Sequence, residues 1–291
     1  RLARPAAGLE TAGAAVDSRC HAKTQGPGRP HTRSPRALRS IAAAAITRHG
    51  RVAKPFIPRP GPSHEAPAGK LETPPMDPAK PLEGLPVVEL GHSVAAPYAG
   101  LILADLGARV VKVENPDAGD HARGWGPPFW GDTSSSFAAL NRGKEGVTID
   151  FSDAEDRERL RALILEEADA VVQNLRPGVL ERHGLDPRTL AADKPALIWC
   201  DVGAFGATGP LAQKPGYDPL VQASSGIMSV TGEGGRPPVR VGVSIVDMGA
   251  GMWAVIGLLS ALLARTATGE GGRVATSLFE TGLAWMTIPL A

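Results

Sequence analysis

The sequence predicts an α/β fold, a largely parallel sheet with helices on both faces. Two observations carry this. From Leu85 onward, short apolar runs alternate with stretches of helical periodicity, the pattern of βαβ units. Hydrophobic residues make up 43% of the chain, enough to bury a core between layers. Pro86 to Leu90 reads as the first strand and Ala95 to Leu106 as a helix with Ala, Leu and Ile on one face. Arg109 to Glu114 is the second strand and Val147 to Asp150 the third. Ser152 or Asp153 can cap a helix running to about Glu167, and Glu155 and Asp156 suit its positive first turn. Ala170 to Gln173 and Ala196 to Val202 are further strands. Met248 to Ala264 is apolar or small throughout, bracketed by Asp247 and Arg265, with Gly249, Gly251 and Gly257 inside. It falls short of the roughly 20 residues of a bilayer span. A buried helix packed closely through its glycines is expected, with no membrane partner.

The first 75 residues differ from the rest. They hold 13 Lys and Arg against 4 Asp and Glu, a net of +9, while the remainder carries 18 against 26, a net of −8. They also hold 11 of the 27 prolines and little apolar periodicity, so disorder is expected. The first methionine is Met76, shortly before the ordered pattern begins. Residues 1–80 are therefore expected to be a disordered or non-native segment with Met76 as the start, and residues 81–291 the folded domain. An Arg-rich, acidic-poor segment also suits organelle import, although its proline density opposes the amphipathic helix that import needs.

The acidic bulk argues against nucleic acid as a partner, since phosphate binding needs clustered Lys and Arg. Two cysteines, Cys20 and Cys200, give no disulfide framework and no zinc spacing. That fits a reducing, cytoplasmic setting and predicts no metal site. In parallel sheets ligands bind at the carboxyl ends of strands, so the loops after Leu90, Glu114, Asp150, Gln173 and Val202 are the places for a site. None of these strands is followed by a dinucleotide or P-loop fingerprint. A G-x-S-x-G elbow is absent as well, and no histidine follows His183. Thr-Gly-Glu-Gly-Gly-Arg occurs at 231–236 and again at 268–273, and reads as a recurrent tight turn.

Several segments together resemble one family. Leu85 to Pro97, Leu106 to Glu114 with Gly119, Asp120 and Arg123, and Asn141 to Asp150 resemble the first three units of family III CoA-transferases. This is the CaiB/BaiF group, which includes formyl-CoA and carnitine CoA-transferases. Asn174-Leu-Arg-Pro-Gly178 with Arg182, Gly184 and Leu185 is among the most diagnostic segments. Gly203 to Pro210, Lys214 to Asp218, Gln222 to Gly226 and Val241 to Asp247 complete the likeness, which covers nearly all of 81–291 in order. The resemblance implies the Rossmann-like large domain of such an enzyme. Members are longer, so the chain reads as incomplete at its C-terminus.

The resemblance further implies transfer of CoA from an acyl-CoA to a small carboxylic acid, with CoA a substrate and no permanently bound cofactor, and a homodimer. The attacking carboxylate of the family maps to Asp247. A carboxylate can hold the acyl unit as a mixed anhydride and then as an aspartyl-CoA thioester. At a helix start it would be favoured as the anion by typically 0.3–1 kcal/mol, and nearby backbone N–H groups could stabilise an oxyanion. Asp is also a preferred N-cap, and the two roles are compatible. By the same resemblance Val94 and Ala95 lie near the pantetheine arm, and His92 is either a CoA neighbour or a packed turn histidine. Asn115 stands where relatives often place Arg. Ile149, Asp150, Asn174, Leu175, Arg176 and Arg182 map to the nucleotide side, and Lys214, Tyr217 and Asp218 to a loop near the thioester. Trp125, Phe129 and Trp130 either wall the acyl pocket or pack their own loop.

Two other readings stay open. α-Methylacyl-CoA racemases share the fold but carry Gly-His-Asp where this chain has Gly216-Tyr217-Asp218, and tyrosine is a poor base at neutral pH. A non-catalytic CoA-binding fragment is the other.

Overall fold

The computed structural model describes residues 79–291. The expectations for residues 1–78, Met76 included, lie outside it. The described chain builds a six-stranded sheet in the order β5-β2-β1-β6-β7-β8, every pair parallel. Its strands are β1 (Pro86–Leu90), β2 (Arg109–Glu114), β5 (Glu145–Thr148), β6 (Ala170–Gln173), β7 (Ile198–Gly203) and β8 (Gly272–Ser277). A two-stranded antiparallel ribbon, β3 (Phe129–Trp130) and β4 (Thr133–Ser134), stands apart. Without that ribbon the strand order is 3-2-1-4-5-6, the doubly wound arrangement whose direction of growth reverses between β1 and β6.

The helices are α1 (Ala95–Asp105), α2 (Ser135–Asn141), α3 (Ala154–Ala162), α4 (Val179–Arg182), α5 (Pro187–Asp193), α6 (Asp218–Ser224), α7 (Ile245–Thr268), α8 (Leu278–Trp285) and α9 (Thr287–Leu290). Alternate residues along each strand feed two separate cores, as the pleat requires. Val87, Val110, Val172, Ile198 and Cys200 pack against α1 and α7. Val88, Val113, Val171 and Trp199 pack against Leu160 and Ile164 and the α4–α5 region. Both faces of the sheet are thus covered, as expected.

Two strand boundaries differ from the sequence reading. The third strand begins at Glu145, two residues early, because β5 is an edge strand. Its first residue pairs in an ion contact with Arg109 at 2.8 Å, so it carries no apolar signal. Asp153, one of the two caps expected, caps α3 by accepting from the Asp156 N–H, and the helical stretch reaches Glu167 as expected, its last part a π turn over Leu163–Glu167. The strand β7 starts at Ile198. β8 gave no signal, since it opens with the second Thr-Gly-Glu-Gly-Gly-Arg copy. There Gly269 closes α7 in the left-handed conformation, φ +75°, and Gly272 enters the sheet.

The long helix α7 is buried on one face only. Gly249, Gly251, Ala254 and Leu258 face the core, whereas Met252, Trp253, Ile256 and Leu263 are exposed. It has the length and apolarity to cross a bilayer, but its glycines set it against protein. A Cβ on Gly257 would lie 2.5 Å from Val274 of β8. A helix apolar all round gives no sequence clue to which face packs.

Candidate active site

All six strands are parallel, so their carboxyl ends open on one edge. Chain growth reverses between β1 and β6, which leaves a crevice between the loops that follow them. The two loops are joined there. The His92 N–H donates to Asn174 Oδ1 at 3.0 Å, and Asn174 Nδ2 donates to the His92 carbonyl at 2.9 Å. Val94 and Ala95 are buried at the start of α1. Burial lowers the His92 pKa below its ordinary value. Its ring sits 5.2 Å from that of His121. Ser93, next to His92, holds φ +66°, the left-handed region that a serine adopts only when something fixes it.

Asp247 lies in the first turn of α7, three residues past the N-cap position at Ser244, so it is not the cap. Asp218 does that work from another element. Its Oδ2 accepts from the Val246 N–H at 2.9 Å and, more weakly, from the Asp247 N–H at 3.4 Å. Gln222 donates to Asp218 Oδ1 at 2.5 Å and accepts from the Val241 N–H at 2.8 Å. Asp218 and Gln222, both buried, thereby fix the segment that delivers Asp247. The remaining first-turn donors are also used: Ile245 N–H to Val243 and Met248 N–H to Ser244. Oxyanion stabilisation by these N–H groups, expected from the helix start, is therefore not what this turn offers.

The electrostatics also differ from the simple helix-start expectation. Burial, and then the neighbouring Asp218 charge, push Asp247 up to about 7. The helix terminus favours the anion by at most about 2 kcal/mol in a partly buried site, about one and a half pH units, so burial and Asp218 win. A carboxylate of this kind is half ionised near neutrality.

Asp247 and the His92–Ala95 turn come together through a glycine. Gly251, one helical turn beyond Asp247, faces the Ala95 carbonyl so closely that a Cβ there would lie 2.7 Å from it. One turn is about 5.4 Å along the axis. α7 and α1 both start at the carboxyl edge and run back across the same face, the second turn of α7 meeting the first turn of α1.

The other sequence-predicted residues spread along the same edge. Ile149 is buried and its N–H bonds to the Glu114 carbonyl, placing it beside the end of β2. Asp150 accepts from the Ser152 N–H and hydroxyl, and those bonds lower its pKa. Asn115 is exposed and its Oδ1 closes a turn onto the N–H groups of Asp117 and Ala118. Leu175 packs against the second core. Arg176 is exposed and close enough to His92 to help depress its pKa. Arg182, on α4, lines a cleft of about 490 Å³ with Arg157, Arg161 and His183. Lys214 and Tyr217 are exposed on the loop before α6. Trp125, Phe129 and Trp130 are exposed as well. Phe129 also covers Gly126, where a Cβ would lie 2.1 Å from its ring.

Sequence reasoning missed the roles of Glu89, Lys112, Asp120 and Lys144, all buried beneath the His92 turn. The signal was present: Glu89 and Lys112 are charges inside otherwise apolar parallel strands, whose side chains are normally buried on both faces.

The profile of CoA-transferase family III matches residues 82–291. Acetyl-CoA:oxalate CoA-transferase of Acetobacter aceti is 43% identical over 219 residues, 74% of this chain and 55% of the relative. Human succinyl-CoA:glutarate CoA-transferase is 35% identical over 212 residues, 73% of this chain and 48% of the relative. Among solved structures, a CaiB/BaiF family protein from Brucella suis superposes with a TM-score of 0.69 at 43% identity, over 72% of this chain and 56% of that one. The chain spans about half the length of the curated relatives it matches. Every element that frames the His92 turn and the Asp247 helix falls inside the matched residues, and the chain belongs to CoA-transferase family III.

Proposed function

We propose that this chain supplies the nucleophile and the CoA-binding edge of an enzyme that moves CoA from an acyl-CoA to a carboxylic acid. The observation that carries the reading is the position of Asp247: a half-buried carboxylate, backbone held by Asp218, one helical turn from the contact with the His92–Ala95 loop.

An Asp247 Oδ attacks the donor thioester carbonyl. The C–S bond breaks, CoA leaves as the thiolate, and an acyl-aspartyl anhydride forms. The thiolate then attacks Asp247 Cγ, releasing the donor acid as its carboxylate and leaving an aspartyl-CoA thioester. The acceptor carboxylate attacks that carbonyl, expels the thiolate and forms a second anhydride. Thiolate attack on the acceptor carbonyl yields the new acyl-CoA and regenerates the Asp247 carboxylate. No proton is consumed and no water enters, so a site that excludes water protects each intermediate. The names of the relatives point to short mono- and dicarboxylates, with acetyl-CoA and succinyl-CoA as donors and oxalate and glutarate as acceptors. The homodimer implied by the resemblance belongs to this reading, and the exposed Trp253, Ile256 and Leu263 on α7 support it.

The test is to incubate the protein with acetyl-CoA or succinyl-CoA, add hydroxylamine, and map the protein by mass spectrometry. Donor-dependent hydroxamate at Asp247, absent in Asp247→Asn, is expected. CoA binding with no adduct from either donor would sink the transfer mechanism and leave a CoA-binding domain.

A further inference from the structure

Beneath the His92–Ala95 turn lie four buried charges from four places in the chain. Glu89 is on β1 and Lys112 on β2; Asp120 follows β2 and Lys144 precedes β5. Lys112 Nζ contacts Glu89 Oε1 and Asp120 Oδ2, each at 2.9 Å, and Lys144 Nζ contacts Glu89 Oε2 at 2.7 Å. The two lysines and two carboxylates balance. Replacing such a set by apolar residues is often neutral or stabilising, so stability alone is a weak reason for its presence.

What the cluster supplies is direction. It grips the backbone of the turn at three points. Lys112 donates to the Gly91 carbonyl at 2.8 Å, the Ser93 N–H donates to Asp120 Oδ1 at 2.8 Å, and Lys144 donates to the Pro97 carbonyl at 2.7 Å. These bracket residues 92–95. The middle grip falls on Ser93, the only non-glycine residue with positive φ among the described residues. Left-handed backbone is unfavourable for a serine, so the turn needs an anchor to hold it. The fold makes room for this device: a Cβ on Gly100 of α1 would lie 2.0 Å from Glu89 Oε2.

We propose that Lys112 and Asp120, supported by Glu89 and Lys144, are positioning residues that preorganise the His92–Ala95 turn for the pantetheine arm of CoA. This rests on the CoA-transferase reading above. Buried beneath the turn, they act by holding Ser93 and its neighbours in a shape the ligand would otherwise have to select.

Asp120→Asn tests it with little change of volume. Its amide must point a donor either at the Lys112 ammonium or at the Ser93 N–H, and either choice loosens the turn. CoA affinity measured by calorimetry is expected to fall about tenfold, a loss of about 1.4 kcal/mol. Adding Ser93→Gly to that variant is expected to recover several-fold, because glycine takes φ +66° without strain. A purely structural cluster would show no such rescue. Wild-type protein that binds no CoA overturns the underlying reading and this inference with it. Binding by wild type and Asp120→Asn with equal affinity, whatever the change in thermal midpoint, overturns this inference alone. If Asp120→Asn does not fold, Ser93→Val decides: a β-branched residue cannot hold that backbone, so unchanged CoA affinity there also overturns the proposal.

Discussion

His92 and Asn174 exchange a pair of hydrogen bonds, 3.0 Å from the His92 N–H to Oδ1 and 2.9 Å from Nδ2 to the His92 carbonyl. They lie 82 residues apart in sequence. The asparagine side chain copies the pattern of a ladder pair at the place where β1 and β6 end and their chains part. It carries the sheet's register one step into the loops and sets the width of the crevice there. The adjacent Gly91 is required by the same approach, since a Cβ on it would lie 2.5 Å from the Ala96 methyl and 3.4 Å from Asn174 Oδ1.

Asn174→Ala should therefore loosen the crevice as well as the fold. Losing two partly buried bonds is expected to cost about 1–3 kcal/mol in urea unfolding. Asn174→Asp should be worse, because a carboxylate oxygen would face the His92 carbonyl. In both variants CoA affinity should fall by more than the change in stability explains under conditions where both remain folded. Equal CoA affinity in folded Asn174→Ala would show that the crevice width is set elsewhere.

The sheet and its order of helices were legible because β1, β6 and β7 are apolar runs of strand length, each preceded or followed by helical periodicity. Asp247 and Asp218 were named from the resemblance, but their relation was not legible. Asp218 caps a helix that starts 27 residues later, and local capping rules look only at the residues beside the helix. The edge strand β5 and the final strand β8 were misplaced or missed because their exposed residues carry little apolar signal. The buried charge cluster was visible only as isolated exceptions in apolar strands; pairing them needs the register of β1 on β2.

Gly251→Val should separate the nucleophile from the CoA turn. The new Cβ would lie 2.7 Å from a backbone oxygen, that of Ala95, so α7 must move away from α1. Overpacking of this kind destabilises by about 1–3 kcal/mol. Hydroxamate formation at Asp247 should fall further at saturating donor, since geometry as well as stability is lost. Gly234→Ala, where nothing lies within 4 Å, is the control and should stay within about 0.5 kcal/mol of wild type. Thermal melts and trapping on the two variants check this.

Lys144 gives the charge cluster a pH signature. Burial, opposed by Glu89, lowers its pKa from 10.5 to about 8. Between those values the unfolded chain binds more protons than the folded one, so this group makes stability rise with pH from about 8 to 10.5. Lys144→Met should remove that rise in urea midpoints measured on either side of 8. It should also cost about 3–5 kcal/mol at neutral pH, because Glu89 is left partly unpaired in the core. Arg142→Ala breaks an ion pair with Asp105 whose side chains are both about half exposed, and should cost under about 1 kcal/mol. Similar costs from the two substitutions would contradict the burial argument.

The sharpest expectation concerns Asp247 and Asp218. If the ionised Asp247 carboxylate is the attacking group, single-turnover trapping should speed up as pH rises and level off above about 7, where burial and Asp218 place its titration. The same raised value makes folding stability fall as pH rises from 3.8 through about 7, because the folded state holds the proton longer. Asp247→Asn should abolish both trends. Asp218→Asn keeps an oxygen for the Val246 N–H but removes the neighbouring charge. It should therefore move the midpoint of trapping to lower pH, at a cost in stability because the new amide nitrogen faces the Gln222 amide that donates to Asp218 Oδ1. A midpoint unmoved in Asp218→Asn would mean that burial alone sets the titration. A trapping rate independent of pH from 5 to 9 would show that Asp247 titrates outside that range, against the raised value that burial and Asp218 give it.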